Sequence, residues 1–212
     1  VSTFGKIDVQ GPDAAALLDR IYANTIGTLK PGKVRYGLML REDGFAFDDG
    51  TVAQLAEDHF VITTTTVNAA RVMQHVDFCR QVLWPELDAY AVSVTEHWAQ
   101  FAVAGPKSRA LLQKMLPALD LSNAAFPFMS AAETMWSGIG VRLFRVSFSG
   151  ELAYEIAVPP DEKSARKFNR LLVVRIVKLA ASQWGRLSPR RTSQMFPLAA
   201  WGKPGKLKGL AK

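Results

Sequence analysis

Four carboxylates in two strand-like segments are the residues best suited to do chemistry in this chain. Asp48 and Asp49 are adjacent in GFAFDDGTVAQL, and Glu151 and Glu155 lie in SGELAYEIAVP. Because side chains alternate across a strand, we expect Asp48 and Asp49 on opposite faces, with one capping the turn and the other facing inward. Glu155 falls between apolar neighbours, so it must be exposed on an edge or hydrogen-bonded in a pocket. An isolated Asp-Asp-Gly is more typical of a solvated turn than of a site, so the residues alone leave both interpretations open.

The sequence pattern of the elements that must position these acids occurs twice in the chain. The segments VQGPDAAALLDRI (residues 9–21) and VAGPKSRALLQKM (residues 103–115) share one pattern, and each follows a strand-like run. Gly-Pro ends the strand, and a helix then begins at Asp13 or Lys107. The apolar face of each helix is predicted to comprise Leu17, Leu18 and Ile21 in the first and Leu111, Leu112 and Met115 in the second. This repetition indicates an internal duplication over about residues 5–90 and 97–162.

Each copy continues from its helix into a hairpin and a further helix. In the first copy, VRYGLML, the turn REDG and FAFDDGTVAQL precede HFVITTT and a helix from about Asn68 to Val82. In the second copy, GVRLFRVSFS, a turn at Ser149-Gly150 and ELAYEIAVP precede a helix from about Asp161. The fold class predicted is α+β, with two pseudo-equivalent strand-helix-hairpin-helix units. Their mostly antiparallel sheets are expected to pack as two halves around a shared cleft, with the two acid-bearing hairpins in related places.

The basic residues are concentrated at the C-terminal end. Residues 1–162 contain 13 Lys and Arg against all 19 Asp and Glu, a net charge of −6, while residues 163–212 contain 13 basic residues and no acid. We therefore expect a domain over residues 1–162, followed by a basic helix and a weakly ordered tail over residues 163–212. The basic tail leaves open a second interpretation, in which the protein binds an anionic surface or a nucleic acid. The acidic body and the lack of a nucleic-acid motif argue against this interpretation.

Several classes of protein are disfavoured by what the sequence lacks. No apolar run is long enough to cross a bilayer, and the first residues do not resemble a targeting signal. The single Cys79 is expected to be a buried helix residue in a reducing compartment, which suggests a cytoplasmic protein. His59, His75 and His97 do not have metal-site spacing, so no metal site is predicted. No G-x-G-x-x-G follows a strand, so no dinucleotide site is predicted either.

Five segments in the right order resemble the aminomethyltransferase (glycine cleavage T-protein) superfamily. They are GKIDVQGPDAAALLDRIYAN, GKVRYGLMLREDGFAFDDGTVAQL, VITTTTVNAARV, SVTEHWAQFAVAGP and FSGELAYEIAVP, which together span residues 5–159. The chain most closely resembles the folate-binding version of this domain at the C-terminal end of the alpha subunit of heterotetrameric sarcosine oxidase. The resemblance implies a pocket for tetrahydrofolate between the two pseudo-equivalent halves.

The resemblance also implies roles for particular residues. Asp49 would be catalytic, lying near the folate nitrogens that take up a one-carbon unit. Glu155 would bind the pterin, because a carboxylate can accept paired N–H donors from an aminopyrimidinone edge. Tyr36 and Tyr154 are further candidate folate contacts, although either could instead pack in the core. Thr65 stands where many relatives carry a folate-contacting Asn.

The implied activity is capture of the one-carbon unit from oxidative demethylation of sarcosine as 5,10-methylenetetrahydrofolate. Any FAD, FMN or NAD would belong to other segments or subunits of the parent enzyme, which are the implied partners. From the resemblance we expect the match to the family to end near Lys163, and we expect the segment that usually precedes the family's first strand to lie outside this sequence. The chain therefore resembles a truncated domain, and the alternative is a folate-binding or assembly module without its own turnover.

Overall fold

The computed structural model describes residues 4–161 and contains nine strands and three α-helices within that range. A π-helical turn at Cys79–Leu83 extends α2, and a 3-10 turn occupies Thr95–His97. The helices are α1 (Ala14–Ile21), α2 (Ala69–Phe78) and α3 (Ser108–Met115). The strands are β1 (Gly5–Gln10), β2 (Lys33–Leu40), β3 (Ala46–Ala56), β4 (His59–Thr64), β5 (Tyr90–Ser93), β6 (Ala99–Ala104), β7 (Ser130–Trp136), β8 (Ile139–Arg145) and β9 (Ala153–Val158).

All nine strands form one sheet in the order β5-β1-β4-β3-β2-β7-β8-β9-β6, with antiparallel neighbours. The α+β fold class is therefore confirmed. The expected two sheets are joined into one, because β2 pairs with β7 at Lys33 and Ser130. The order β1-β4-β3-β2 recurs in reverse as β7-β8-β9-β6, so the two repeats meet at their equivalent strands.

The predicted equivalence of the two acid-bearing hairpins is wrong by one strand. In the structure β2, β3 and β4 correspond to β7, β8 and β9, so Asp48 and Asp49 on β3 are not equivalent to Glu155 on β9. The reason is β7, whose sequence SAAETMW mixes polar residues with good helix formers and lacks a clear strand pattern. When β7 is not recognised as a strand, the sequence pattern matches β2 and β3 of the first copy with β8 and β9 of the second.

The helices cover the sheet with the apolar faces that the sequence predicts. Leu17 and Leu18 of α1 are fully buried against Ile7, Val9 and other strand residues in one core cluster. The corresponding face of α3, formed by Leu111, Leu112 and Met115, is also buried. Each such side chain contributes about 1.5–3 kcal/mol on burial. Cys79 is 1% exposed, in agreement with its predicted place in a helical core.

A buried ion pair links the two repeats. Arg142 on β8 donates two hydrogen bonds to Asp8 on β1, at 2.9 and 3.1 Å, and His59 Nε2 lies 3.0 Å from the same carboxylate. The guanidinium also lies over the Trp98 ring, 4.2 Å from its centroid, and donates to Glu133. Burial opposes ionisation of Asp8, but the hydrogen bonds from His59 and Arg142 lower its pKa below the ordinary value. The pair fixes β1 against β8 and so helps to hold the two repeats together.

The predicted helix from about Asp161 and the basic tail of residues 163–212 lie outside the described residues. Among residues 4–161, no helix is long and apolar enough to cross a membrane.

Candidate functional site

A cavity of about 510 Å³ is lined by residues from both repeats. The first repeat contributes one wall from β2, β3 and the end of β4. The second repeat contributes Glu155 and the segment that precedes β9. The lining residues are Phe4, Tyr36, Asp49, Gly50, Thr51, Thr63, Thr64, Thr65, Val146, Ser147, Phe148 and Glu155. Cavities of this size are typical of small-molecule sites.

The adjacent aspartates occupy opposite faces of β3, as strand alternation requires. Asp49 is exposed at the cavity, while Asp48 is only 5% exposed and lies on the other face. Neither residue caps a turn, because both lie within the paired strand β3 and the turn before it falls at Glu42–Gly44. The prediction that one of them serves the turn is therefore wrong.

Asp48 is an anchor for the segment that follows β4. Its carboxylate accepts hydrogen bonds from the Thr65 hydroxyl at 2.6 Å, the Thr65 backbone N–H at 3.2 Å and the Asn68 side-chain amide at 3.1 Å. Thr65 lines the cavity and Asn68 precedes the first residue of α2. Asp48 thus ties the cavity wall and the start of α2 to β3, and charge-assisted bonds of this kind are among the stronger hydrogen bonds in proteins.

Tyr36 and Asp49 act as one unit. The Tyr36 hydroxyl donates a hydrogen bond to Asp49, and this bond raises the pKa of the tyrosine. Tyrosine is ordinarily neutral at physiological pH, and the raised pKa favours that state further, so the Tyr36 hydroxyl remains a donor. Its ring is 51% exposed at the cavity, where its apolar face is available to a planar ligand.

The narrow contact between β3 and β4 depends on Gly50. A Cβ atom at this position would lie 2.0 Å from the backbone oxygen of Thr63, closer than any real contact. The glycine lets the Thr51 backbone N–H donate to the Thr63 hydroxyl at 2.8 Å, and the two threonine hydroxyls lie 2.9 Å apart. A wall of hydroxyl groups beside Asp49 results.

Glu155 reaches the cavity from the second repeat. Burial raises the pKa of this half-buried carboxyl, and the effect is partly offset by a hydrogen bond from Gln100 and by the charge of Lys6. Asp49 and Glu155 therefore line the same cavity with different surroundings, the first exposed and the second shielded from water. Such a difference lets one carboxylate serve recognition while the other serves proton transfer.

Tyr154 does not line the cavity, and its assignment as a folate contact is corrected. As the residue next to Glu155 in β9, it points to the opposite face, where it is fully buried and stacks on Phe126 at a centroid distance of 6.5 Å. Its hydroxyl accepts a hydrogen bond from Arg109 Nε at 3.1 Å. Tyr154 is therefore a core residue.

Several residues around the cavity are not among the sequence candidates. Phe4 and Phe148 line it with exposed rings, and Lys6 and Gln100 lie close behind Glu155. Lys6 carries a recognisable signal, because the strand GKIDVQ places two charged residues, Lys6 and Asp8, beside apolar ones, and a charge buried there must find a polar partner. The exposed phenylalanines carry no comparable signal.

The histidines and acids of the described range do not form a metal centre. Within residues 4–161, no three of His, Cys, Asp and Glu come together in a group that could hold a metal ion. His59 contacts Asp8, and His75 lies beside Phe47 at a centroid distance of 5.1 Å. Burial lowers the pKa of His75.

Comparison with known proteins gives consistent matches to one family. The model of the GCVT N-terminal domain matches residues 1–174. The alpha subunit of sarcosine oxidase from Rhizobium meliloti (strain 1021) is 56% identical over 161 residues, which are 75% of this chain and 16% of the relative. This chain thus spans less than a fifth of that relative's length.

Two solved structures share the fold. The glycine cleavage system aminomethyltransferase T from Bartonella henselae aligns with a TM-score of 0.68 and 24% identity, over 82% of this chain and 44% of that chain. Heterotetrameric sarcosine oxidase from Corynebacterium sp. U-96, in complex with pyrrole 2-carboxylate, aligns with a TM-score of 0.59 and 18% identity. That alignment covers 86% of this chain and 82% of that chain.

Proposed function

The chain belongs to the GCVT N-terminal domain family, and on this basis we propose that its cavity binds tetrahydrofolate as part of a sarcosine oxidase alpha-type subunit. The observation that carries the proposal is that Asp49 and Glu155, from different repeats, line one cavity of about 510 Å³. The exposed rings of Phe4, Tyr36 and Phe148 around it suit a planar heteroaromatic ligand with amine donors.

Recognition falls to Glu155. A pterin presents an aminopyrimidinone edge with adjacent N–H donors, and an ionised carboxylate accepts two of them. Because Glu155 is half-buried, this bond is less exposed to competition from water than a surface bond would be. Thr65, held by Asp48, adds a backbone and hydroxyl surface on the facing wall.

Chemistry falls to Asp49. Bound tetrahydrofolate would supply the nitrogens that take up the one-carbon unit from sarcosine demethylation, giving 5,10-methylenetetrahydrofolate. Asp49 accepts a proton from the reactive nitrogen or stabilises positive charge beside it, and the Tyr36 hydroxyl orients the carboxylate. The two repeats together would provide proximity and orientation, because Asp49 and Glu155 line the cavity from different repeats.

Binding is tested by calorimetric titration of the full 212-residue chain with tetrahydrofolate. Binding at millimolar affinity or tighter is expected, and the isosteric Glu155→Gln variant should weaken it by about tenfold or more, because one acceptor becomes a donor. Weaker than millimolar binding by the unmodified chain, or an unchanged affinity in Glu155→Gln, contradicts the proposal.

The rival is a folate-binding or assembly module without turnover. It is distinguished by the rate at which tetrahydrofolate captures formaldehyde, measured above the spontaneous reaction. An Asp49→Asn variant should keep its folate affinity within a few fold and lose most of the acceleration. The same rate in both proteins would leave binding as the only function.

A further inference from the structure

Glu155 is held from the neighbouring strand by Gln100. The side-chain amide of Gln100 on β6 donates a hydrogen bond to Glu155 Oε2. In the register of these strands Gln100 is opposite Ala157 and Ala102 is opposite Glu155, so Gln100 and Glu155 are diagonal neighbours on one face. Gln100 is 6% exposed. A buried amide in this position gives the carboxylate one fixed contact and leaves the remaining acceptor sites of its two oxygens for other partners.

Lys6 supplies positive charge from the other repeat. It is 3% exposed on β1, and its ammonium group donates to the Phe4 carbonyl at 3.1 Å. Phe4 itself lines the ligand cavity. Burial lowers the pKa of Lys6, while the charge of Glu155 acts to raise it. A second cavity of about 10 Å³ is lined by Lys6, Gln100 and Thr63, and Thr63 also lines the large cavity. Thr63 thus borders both cavities, and Lys6 and Gln100 border the smaller one.

This arrangement supports the ionised form of a half-buried acid. An amide that donates to Oε2 favours the carboxylate over the neutral acid, and a nearby ammonium group does the same. An amide cannot itself take up the proton, so the arrangement holds Glu155 in place without competing for its charge. The structural clamp between the repeats is supplied separately by Asp8 and Arg142.

We propose that Gln100 is a positioning residue for ligand recognition: its amide holds Oε2 of Glu155, with Lys6 as countercharge, so that the remaining acceptor sites of the two carboxylate oxygens accept the paired N–H donors of the ligand. This inference rests on the proposed function, in which Glu155 binds the pterin. Gln100 does not touch the ligand in this scheme and acts only through Glu155.

The test compares Gln100→Leu with Gln113→Leu in the full chain. Gln113 on α3 is likewise held by its side-chain amide, which donates to the Leu119 carbonyl at 2.6 Å and accepts from the Leu121 N–H at 2.9 Å, but it does not line the cavity. Both variants lose stability, which is followed by thermal unfolding. Only Gln100→Leu should weaken tetrahydrofolate binding, by about tenfold.

The pH profile separates positioning from general damage. Affinity should fall as the pH drops through the pKa of Glu155, and Gln100→Leu should shift this midpoint upward because the carboxylate loses a donor. Gln100→Glu should shift it further, since two adjacent carboxylates resist ionising together. Unchanged affinity and midpoint in Gln100→Leu, or equal changes in Gln113→Leu, overturn the inference.

A readout without ligand keeps the two proposals distinct. The Glu155 carboxyl is titrated by carbon-13 NMR and assigned by comparison with Glu155→Gln. An unmoved titration in Gln100→Leu overturns the positioning role even if folate binds. An absence of folate binding by the unmodified chain overturns the proposed function, while an upward shift of the titration still supports the coupling of Gln100 to Glu155.

Discussion

Asparagine substitutions at the two adjacent aspartates should affect different properties, one the folding stability and the other the function. Asp48→Asn and Asp49→Asn are isosteric changes one residue apart in β3. Asp48 is buried and accepts three hydrogen bonds, whereas Asp49 is exposed at the cavity and accepts one, from Tyr36. We therefore expect the first change to cost folding stability and the second to cost one-carbon capture.

The magnitude at Asp48 follows from its partners. In Asp48→Asn, one carboxylate oxygen becomes an NH₂ group, which cannot accept a hydrogen bond. If it replaces Oδ2, the bond from the Thr65 N–H is lost; if it replaces Oδ1, the bonds from the Thr65 hydroxyl and the Asn68 amide are lost. The remaining bonds change from charge-assisted to neutral, at a loss of roughly 1 kcal/mol each, and a buried donor left without a partner costs about 1–3 kcal/mol. Because one or two bonds remain, depending on which oxygen is replaced, a total loss of roughly 2–5 kcal/mol is expected, against about 0.5 kcal/mol or less at the exposed Asp49.

The assay is urea unfolding at pH 7, followed by tryptophan fluorescence and repeated with saturating tetrahydrofolate. Asp48→Asn should shift the unfolding midpoint to lower urea, and Asp49→Asn should leave it nearly unchanged while reducing formaldehyde capture. Equal stability losses in the two variants, or normal capture by Asp49→Asn, would refute the assignment of anchor and catalytic roles.

Two further substitutions test the framework that holds the site. Arg142→Met should cost about 3–5 kcal/mol at pH 7 because buried Asp8 loses both guanidinium hydrogen bonds and keeps His59 as a partner, while Glu133→Gln, at a partly exposed partner, should cost less than about 1 kcal/mol. The lowered pKa of Asp8 stabilises the unmodified protein above its unfolded pKa of about 3.8, and this contribution is lost as the pH falls through the lower folded value. The Arg142→Met deficit should therefore shrink on acidification, and a deficit constant from pH 7 to pH 3 contradicts the ion-pair assignment. Gly50→Ala should cost about 1–3 kcal/mol of folding stability and weaken ligand binding. Its control is Gly140→Ala, where a Cβ meets no atom within 4 Å and thermal unfolding should be nearly unchanged. Similar melting temperatures for these two variants would be inconsistent with the close contact of β3 and β4.

Local sequence determined the helices, most strands and the alternation along them. Gly-Pro followed by an amphipathic run predicts α1 and α3, because the turn and the apolar face are both encoded within about a dozen residues. The same alternation puts Asp48 and Asp49 on opposite faces and separates Glu155 from Tyr154. It does not say which face borders a cavity, so the sequence alone could not decide between Tyr154 as a ligand contact and Tyr154 as a core residue.

The tertiary structure decided the contacts between distant segments. Asp8 and Arg142 are 134 residues apart, and Gln100 and Glu155 are 55 apart, so no local pattern brings either pair together. Strand pairing fixes which side chains share a face across the sheet, and the missing β7 misaligned the two repeats in the sequence pattern for that reason. The sequence by itself therefore determined which acids could act. Only the packing of one repeat against the other determined that Asp49 and Glu155 meet at one cavity, because that meeting depends on long-range pairing and burial.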